Sequence, residues 1–258
     1  MTYALITGAS KGIGKSIAEE LAAKGKNLLL VSRSEETLNE LRLSLIQRYN
    51  VHVAYLAIDL SAAEAPQLVS NWCTSNNYSI DVLVNNAGYG LWGPFEKVSL
   101  ESHQEMLQLN MLTVVQLTYA LLPELKKHAS SYILNVASTA AYQAVPTLSL
   151  YAASKSFVLL FTRGIRLELE GTGVSVSCLC PGPTSTDFVT RAGMSLAIQK
   201  KSDTFSMTSE AVARIGVRGM YNHKAEIIPG LLNKIIVAAT AWLPKYVTEK
   251  IANDLYKK

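Results

Sequence analysis

Tyr151 and Lys155 lie four residues apart in a stretch with helical apolar spacing, so one helix face carries both side chains. A phenol beside an ammonium group is an acid or base able to move a proton at an oxygen atom. A free phenol has a pKa of about 10, and bringing it to near neutrality with a neighbouring positive charge takes about 4 kcal/mol. The spacing alone is cheap, because Tyr246 and Lys250 repeat it near the C-terminus. Context separates the two pairs. Ser138 stands thirteen residues before Tyr151, at the end of an expected strand, and offers a second hydrogen-bond donor, whereas Asn233 holds the matching place before Tyr246.

A second group of residues suits an anion. Thr7-Gly8-Ala9-Ser10-Lys11-Gly12-Ile13-Gly14 follows the first apolar run and opens a helix. Glycines at such a turn let the backbone approach a phosphate, and the free amides of the first helical turn point at it. The spacing G-x3-G-x-G meets the commoner dinucleotide fingerprint only in part. After the second run stand Ser32-Arg33, where an acid would hold the ribose hydroxyls of NAD. Arg33 attracts the 2′-phosphate that a carboxylate would repel, and Lys11 adds a cation on the same side. Each alone reads equally well as a solvated charge; together they favour NADP. Asp59-Leu60 either holds an adenine amino group or caps the next turn. Asn85-Asn86-Ala87-Gly88 ends the fourth run with small residues that let a ribose or adenine approach.

The elements that must gather these residues alternate in type. Strand-length apolar runs occur at 3–7, 27–31, 51–58, 81–85, 132–137 and 174–180, and helical periodicity at 13–24, 35–49, 66–76, 100–127 and 149–171. That order predicts an α/β fold, a Rossmann-type doubly wound parallel sheet with helices on both faces, and ligands at the carboxyl edge of its strands. No linker, repeat or composition shift divides the chain, so 1–258 reads as a single domain. Residues 1–180 form the nucleotide-binding and catalytic core, and 181–258 a substrate loop and C-terminal helices. Beyond Pro181 the pattern predicts a loop over 183–208, a helix over 209–220, a strand over 225–228 and two terminal helices. A loop of that length is usually functional.

Composition narrows the classes. Hydrophobic residues make up 49% and charged residues 17%, which excludes disorder as the main state. Lys+Arg 24 against Asp+Glu 20 leaves +4, with no basic run, a poor footprint for nucleic acid. Cys73, Cys178 and Cys180 are too few for a disulfide framework and point to a reducing, cytoplasmic setting; with His52, His103, His128 and His223 they make no metal-ligand spacing. No apolar run is expected to approach the ~18 residues of a membrane span. The apolar stretch 235–243, between Lys234 and Pro244, reads first as a packed helix, with a surface contact with lipid as the lesser alternative, and no membrane partner is expected.

Taken in order, Thr7-Gly8-x3-Gly12-Ile13-Gly14, Asp59, Asn85-Asn86-Ala87-Gly88, Asn110, Ser138, Tyr151-x3-Lys155 and Pro181-Gly182 with Thr186 resemble the short-chain dehydrogenase/reductase family over nearly the whole chain. The resemblance implies NADP(H) held by Gly8, Ser10, Lys11, Gly12, Ile13, Gly14, Arg33, Asp59, Leu60, Asn86, Ala87, Gly88, Pro181, Gly182, Thr184 and Thr186, with Tyr151 and Lys155. It also implies a catalytic tetrad of Asn110, Ser138, Tyr151 and Lys155. In it Lys155 grips the nicotinamide ribose and Asn110 holds a water in a proton relay. Outside the resemblance, Asn110 reads as a helix-interior Asn bonded to nearby backbone.

The activity implied is carbonyl–alcohol interconversion by hydride transfer, run as a reductase similar to bacterial relatives of 3-oxoacyl reductases. The rival reading is a catalytically idle nucleotide sensor or scaffold. Tyr89, Leu91, Trp92, Ala140, Tyr142, Val145 and Pro146 are candidate pocket residues, mostly apolar, pointing to a hydrophobic ketone or acyl chain. Residues 184–208 read as a lid, with Phe188, Val189, Met194, Leu196, Phe205 and Met207 over the substrate, or as a plain surface excursion. The long helices at 100–127 and 149–171 are those that the family uses for pairing, so a homodimer or homotetramer is expected.

Overall fold

Strands β1 (Thr2–Thr7) and β2 (Asn27–Ser32) are buried at every position after the first, as strands covered on both faces must be. With β3 (Val53–Ala57), β4 (Ser79–Asn85), β5 (Ser131–Val136), β6 (Val174–Leu179) and a later strand β9 (Glu226–Ile227) they form one sheet in the computed structural model, which describes residues 1–194 and 206–256. Its order is β3-β2-β1-β4-β5-β6-β9 and every pair is parallel. The order reverses between β1 and β4, the point at which open α/β sheets leave a crevice at their carboxyl edge.

Among the described residues the α-helices are α1 (Gly12–Ala22), α2 (Glu35–Tyr49), α3 (Ala65–Ser75), α4 (Leu100–Leu107), α5 (Thr113–Leu125), α6 (Ser149–Glu168), α7 (Phe188–Arg191), α8 (Ser209–Tyr221), α9 (Leu231–Trp242) and α10 (Lys245–Tyr256). One sheet face is covered by α1, α2 and α8, through Ile17, Leu21, Leu38, Leu45, Val212 and Val217. The other is covered by α3 and α5 and the end of α6, through Val69, Leu117, Leu121, Leu125 and Leu169. Leu5, Leu29 and Leu83 are fully buried between these layers, and truncating one to Ala costs about 2–5 kcal/mol. The expected doubly wound sheet with helices on both faces is the fold observed.

Several boundaries differ from the sequence reading. The single long helix expected over 100–127 is broken by a π-helical turn at Gln108–Leu112, which inserts one residue and re-aims Asn110. By length and composition the run Leu100–Leu125 passes for a membrane-crossing helix, against expectation, yet Leu117, Leu121 and Leu125 are set into the sheet. The expected loop over 183–208 holds α7 and a two-stranded parallel pair, β7 (Thr184–Ser185) with β8 (Met207–Thr208). The stretch 235–243 is helical as expected up to Trp242, in α9, but its packing is inverted: the buried stripe is Asn233, Val237 and Thr240, and the large apolar residues other than Val237 face outward.

A buried polar network ties the sheet to the helix that carries Tyr151. Asn85 and Asn135 pair in register on β4 and β5, and Asn85 Nδ2 donates to Asn135 Oδ1 (2.8 Å) and to Thr118 Oγ1 (3.1 Å). Asn135 Nδ2 donates in turn to Thr162 Oγ1 on α6 (2.9 Å). Among the described residues Asn85 Oδ1 has no hydrogen-bond partner, but the donated bonds still link β4, β5, α5 and α6 and so hold the register and the orientation of α6 on the sheet.

Candidate active site

The turn after β1 is shaped for an anion. Gly8 (φ 64°) and Gly12 (φ 53°) lie in the left-handed region that favours glycine. A Cβ on Gly14 would overlap the Gly8 carbonyl and Asn86 Nδ2. Thr7 Oγ1 accepts from the backbone N–H of Asn86 and of Ala87 (3.0 Å each) and donates to Val84 O (3.3 Å). Asn86 Nδ2 donates to Thr7 O (2.9 Å) and Gly8 O (3.2 Å). The amide of Asn86 therefore holds the turn in shape, and Ala87 and Gly88 continue along the same edge. At its start, α1 has no side-chain cap and no acid in its first turn, which leaves its amides and the positive end of its dipole to a ligand. This cradle fits the pyrophosphate of a nicotinamide dinucleotide.

Both candidate phosphate cations stand beside carboxylates. Arg33 Nη1 lies 3.4 Å from Asp59 Oδ2, and Lys11 Nζ lies 3.2 Å from Asp187 Oδ2. All four side chains are well exposed, so each pair is worth about 0–1 kcal/mol and exchanges readily for a phosphate. Burial raises the Asp59 pKa, but hydrogen bonds from Ser61 and the Arg33 charge outweigh it and hold the carboxyl below its usual range. The Leu60 side chain is buried in the core, and its carbonyl accepts from Thr113 Oγ1 (2.7 Å). Ser10 and Ile13 are half-buried in the turn, and Thr186 closes over Gly12, where a Cβ would lie 3.0 Å from Thr186 Cγ2. Thr184 Oγ1 donates to Gly182 O (2.9 Å), and Pro181 O accepts from Thr139 N (2.9 Å), which joins this turn to the one after Ser138.

The catalytic candidates come together at the ends of β4 and β5 and on α6. Lys155 is buried and donates from Nζ to Val136 O (2.9 Å), with Nζ 5.9 Å from the centre of the Tyr151 ring. Burial pushes its pKa down to about 8, which still leaves most of it charged at neutrality. Asn110 Oδ1 accepts from Tyr89 N (3.1 Å), and Nδ2 donates to Tyr89 O (2.9 Å) and Ser154 Oγ (3.1 Å). A Cβ on Gly88 would sit 2.9 Å from Asn110 Oδ1 and 3.3 Å from Lys155 Nζ, so both atoms border that glycine. Ser138 Oγ accepts from Ala140 N (3.1 Å), which leaves its own proton to donate. Ser154 was not singled out from sequence; it is buried and donates to Tyr151 O (2.7 Å), linking Asn110 to the Tyr151 turn. Its signal was a serine on the inward face of the helix, three residues from Tyr151.

An apolar wall surrounds Tyr151. Met106, Val145, Leu148, Ala152, Ala192 and Met194 form a buried cluster with it, and Tyr89, Leu91, Trp92, Ala140 and Phe188 pack against the cluster. The Phe188 ring lies 5.2 Å from that of Tyr151, and a Cβ on Gly90 would fall 2.9 Å from Phe188 Cζ. The first part of the expected lid is thus packed at the site, with Trp92 N donating to Ala192 O (2.9 Å). The Val189 side chain, Leu196 and Phe205 fall outside what the structure describes. Tyr142 departs from its expected pocket role: its hydroxyl donates to Glu226 Oε1 (2.6 Å), and its ring packs with Val158 and Cys180. Tyr142 and Pro146 instead line a cavity of about 570 Å³ on the face of α6 that carries Ser149, Ala153 and Ser156, away from Tyr151 and Lys155.

Comparison with known proteins agrees with this geometry. The family profile described as short chain dehydrogenase matches residues 2–196. The chain is 37% identical over 216 residues to sulfoacetaldehyde reductase 2 of Chromohalobacter salexigens, covering 82% of this chain and 85% of that protein. It is 33% identical over 232 residues to ketoacyl reductase HetN of a Nostoc strain, covering 87% of this chain and 77% of that one. Among solved structures, a short-chain dehydrogenase from Sphingobium yanoikuyae in complex with NADPH superposes with a TM-score of 0.82, at 28% identity over 94% of each chain. With the glycine turn, the Ser-Tyr-Lys set and the sheet that gathers them all in place, the chain belongs to the short-chain dehydrogenase/reductase family and is a nicotinamide-dependent oxidoreductase of related reductases.

Proposed function

We propose that the protein reduces the carbonyl of an apolar substrate with NADPH, Tyr151 delivering the proton. The observation that carries this is Lys155, buried with its Nζ between Val136 O and the Tyr151 ring. A bound nicotinamide supplies the hydride. As negative charge grows on the substrate oxygen, Tyr151 gives up its phenolic proton there and Ser138 donates a hydrogen bond to the same atom. The ammonium of Lys155 stabilises the phenolate left behind and is placed to grip the cofactor ribose. Asn110 fixes the backbone at Tyr89, and its Oδ1, bordering Gly88 with Lys155 Nζ, suits a proton path to the lysine. The idle-sensor reading has little to stand on, because every side chain of the tetrad is present.

Arg33, with Ser32 rather than an acid before it, and Lys11 favour the 2′-phosphate of NADP. Of the activities named for the two relatives, the apolar wall around Tyr151 suits a ketoacyl chain better than a small sulfonated aldehyde. Exposed Tyr119 on α5 and Leu160 and Leu167 on α6 support pairing of copies through these helices. Free, buried Cys73, Cys178 and Cys180 are compatible with a reducing, cytoplasmic setting. The test is loss of NADPH absorbance with hydrophobic ketones, 3-oxoacyl thioesters and sulfoacetaldehyde, each repeated with NADH. Turnover of 3-oxoacyl thioesters with NADPH is expected; equal use of NADH, or turnover of sulfoacetaldehyde alone, overturns the reading.

A further inference from the structure

Helix α9 is built the wrong way round for a helix whose only neighbour is its own protein. Two of its three buried residues, Asn233 and Thr240, are polar, while Leu231, Leu232, Ile235, Ile236, Trp242 and Leu243 are exposed, Leu231 at 75% and Trp242 at 88%. At 100° per residue, Leu231, Ile235 and Trp242 mark the centre of the outward face, opposite the buried stripe. The inward stripe is a built contact: Asn233 Nδ2 donates to Pro229 O (2.7 Å), and a Cβ on Gly182 would overlap the Asn233 amide. Rotation of the helix would break that contact, so the apolar face is fixed outward.

Charge along the same segment has one sign. Between Glu226 and Glu249 the chain holds no carboxylate, and its charged residues there are Lys234 and Lys245. Lys234 is exposed on the flank of the apolar face, and Lys245 Nζ donates to Thr240 O (3.0 Å) at the end of the helix. Trp242 and the exposed Tyr246 stand at that same end, aromatic groups with an apolar body and a polar tip. A helix of 12 residues is about 18 Å long, too short for a hydrocarbon layer of ~30 Å. A two-fold pairing of this face with itself would bring lysines together with no carboxylate in the segment to answer them.

We propose that the outer face of α9 docks the protein in the plane of an anionic lipid surface, its apolar residues in the acyl boundary and Lys234 and Lys245 at the headgroups. This departs from the sequence expectation of no membrane partner. That expectation rested on the shortness of the apolar run, which does not say which face of the helix is inside. The proposal is independent of the reaction. It places the lipid beside the element that backs Gly182 and, through α9, the turn following Ser138.

The test is co-sedimentation of the full chain with vesicles of phosphatidylcholine alone and of phosphatidylcholine mixed with phosphatidylglycerol. Roughly tenfold stronger binding to the mixed vesicles is expected, weakening as salt is raised. Ile235→Asp should reduce binding at least about tenfold, with NADPH turnover of a water-soluble ketone unchanged. Lys234→Glu, an exposed change that leaves packing intact, should lower binding to the mixed vesicles alone. Absence of vesicle binding by the wild type, or equal binding to both compositions, overturns the proposal. So does light scattering in which Ile235→Asp breaks a larger assembly while the wild type ignores vesicles, since the face then belongs to a second copy.

Discussion

The molecule carries Tyr-x3-Lys twice, on α6 and on α10, and the two pairs have opposite fates. Tyr151 and Lys155 are 8% and 5% exposed, whereas Tyr246 is 73% exposed and Lys250 faces solvent. On α6 the pair lies against the carboxyl ends of β4 and β5, with Val136 O, Asn110 and Ser154 closing round it. Among the described residues no strand packs substantially against α10. Identical spacing on a helix is therefore enclosed and hydrogen-bonded only where a sheet edge removes water and supplies partners. A charge placed there interacts strongly because solvent no longer screens it.

Replacing the two phenols breaks the comparison most directly. Tyr151→Phe should lower turnover by about 10²–10⁴-fold with little change in melting temperature, and Tyr246→Phe should leave turnover nearly intact. Comparable losses in both, measured by NADPH oxidation, would mean that the proton comes from elsewhere.

The lysines sharpen it through stability. Lys155 has its pKa lowered from about 10.5 to about 8, so the folded chain gives up this proton more readily than the unfolded chain does. Between those values the unfolded chain binds more protons, and stability without cofactor should rise with pH by up to about 3 kcal/mol. Lys155→Met should abolish turnover yet raise the melting temperature at neutral pH and remove that pH dependence. Lys250→Met should alter neither turnover nor melting, and melting curves from pH 7 to about 10.5 with paired assays decide the matter.

Smaller effects are expected at the rim. Arg33→Ala should weaken NADPH binding by about 1–3 kcal/mol and hardly change that of NADH, because only the phosphate contact is lost. Titration of both dinucleotides measures this, and parallel losses would remove the 2′-phosphate role. Smallest is Phe188→Ala, which removes a ring contact worth about 0.5–1.5 kcal/mol at Tyr151. Activity on bulkier ketones should gain severalfold in kcat/KM relative to small ones; an unchanged ratio would show that Phe188 does not limit the pocket.

Much of the site was legible because strand, turn and helix signals are local. The glycine turn, Arg33, Asp59, Ser138 and the α6 pair all appear at the expected strand ends, since a parallel sheet sends every strand's carboxyl edge the same way. Less was legible where a residue's partner is far along the chain. Tyr142 read as a pocket residue from its closeness to Ser138, and Glu226 on the last strand draws it away. Asn86 read as a cofactor neighbour, and its amide is also the clasp of the glycine turn. The π-helical turn that aims Asn110 was not read from apolar spacing, because Leu107, Leu109, Met111 and Leu112 crowd the point of insertion and mask the one-residue offset between the two helical stripes.

By itself the sequence determined the parallel sheet and the family and singled out the candidate reacting groups, because periodicity, turn chemistry and motif order are written in neighbouring residues. Only the tertiary structure decided which Tyr-x3-Lys pair is enclosed, where Lys155 meets the Val136 carbonyl, and which side of α9 faces out. Those are questions of burial, and burial depends on what distant segments bring to the same place: Gly182 to Asn233, Glu226 to Tyr142, and Phe188 to Tyr151.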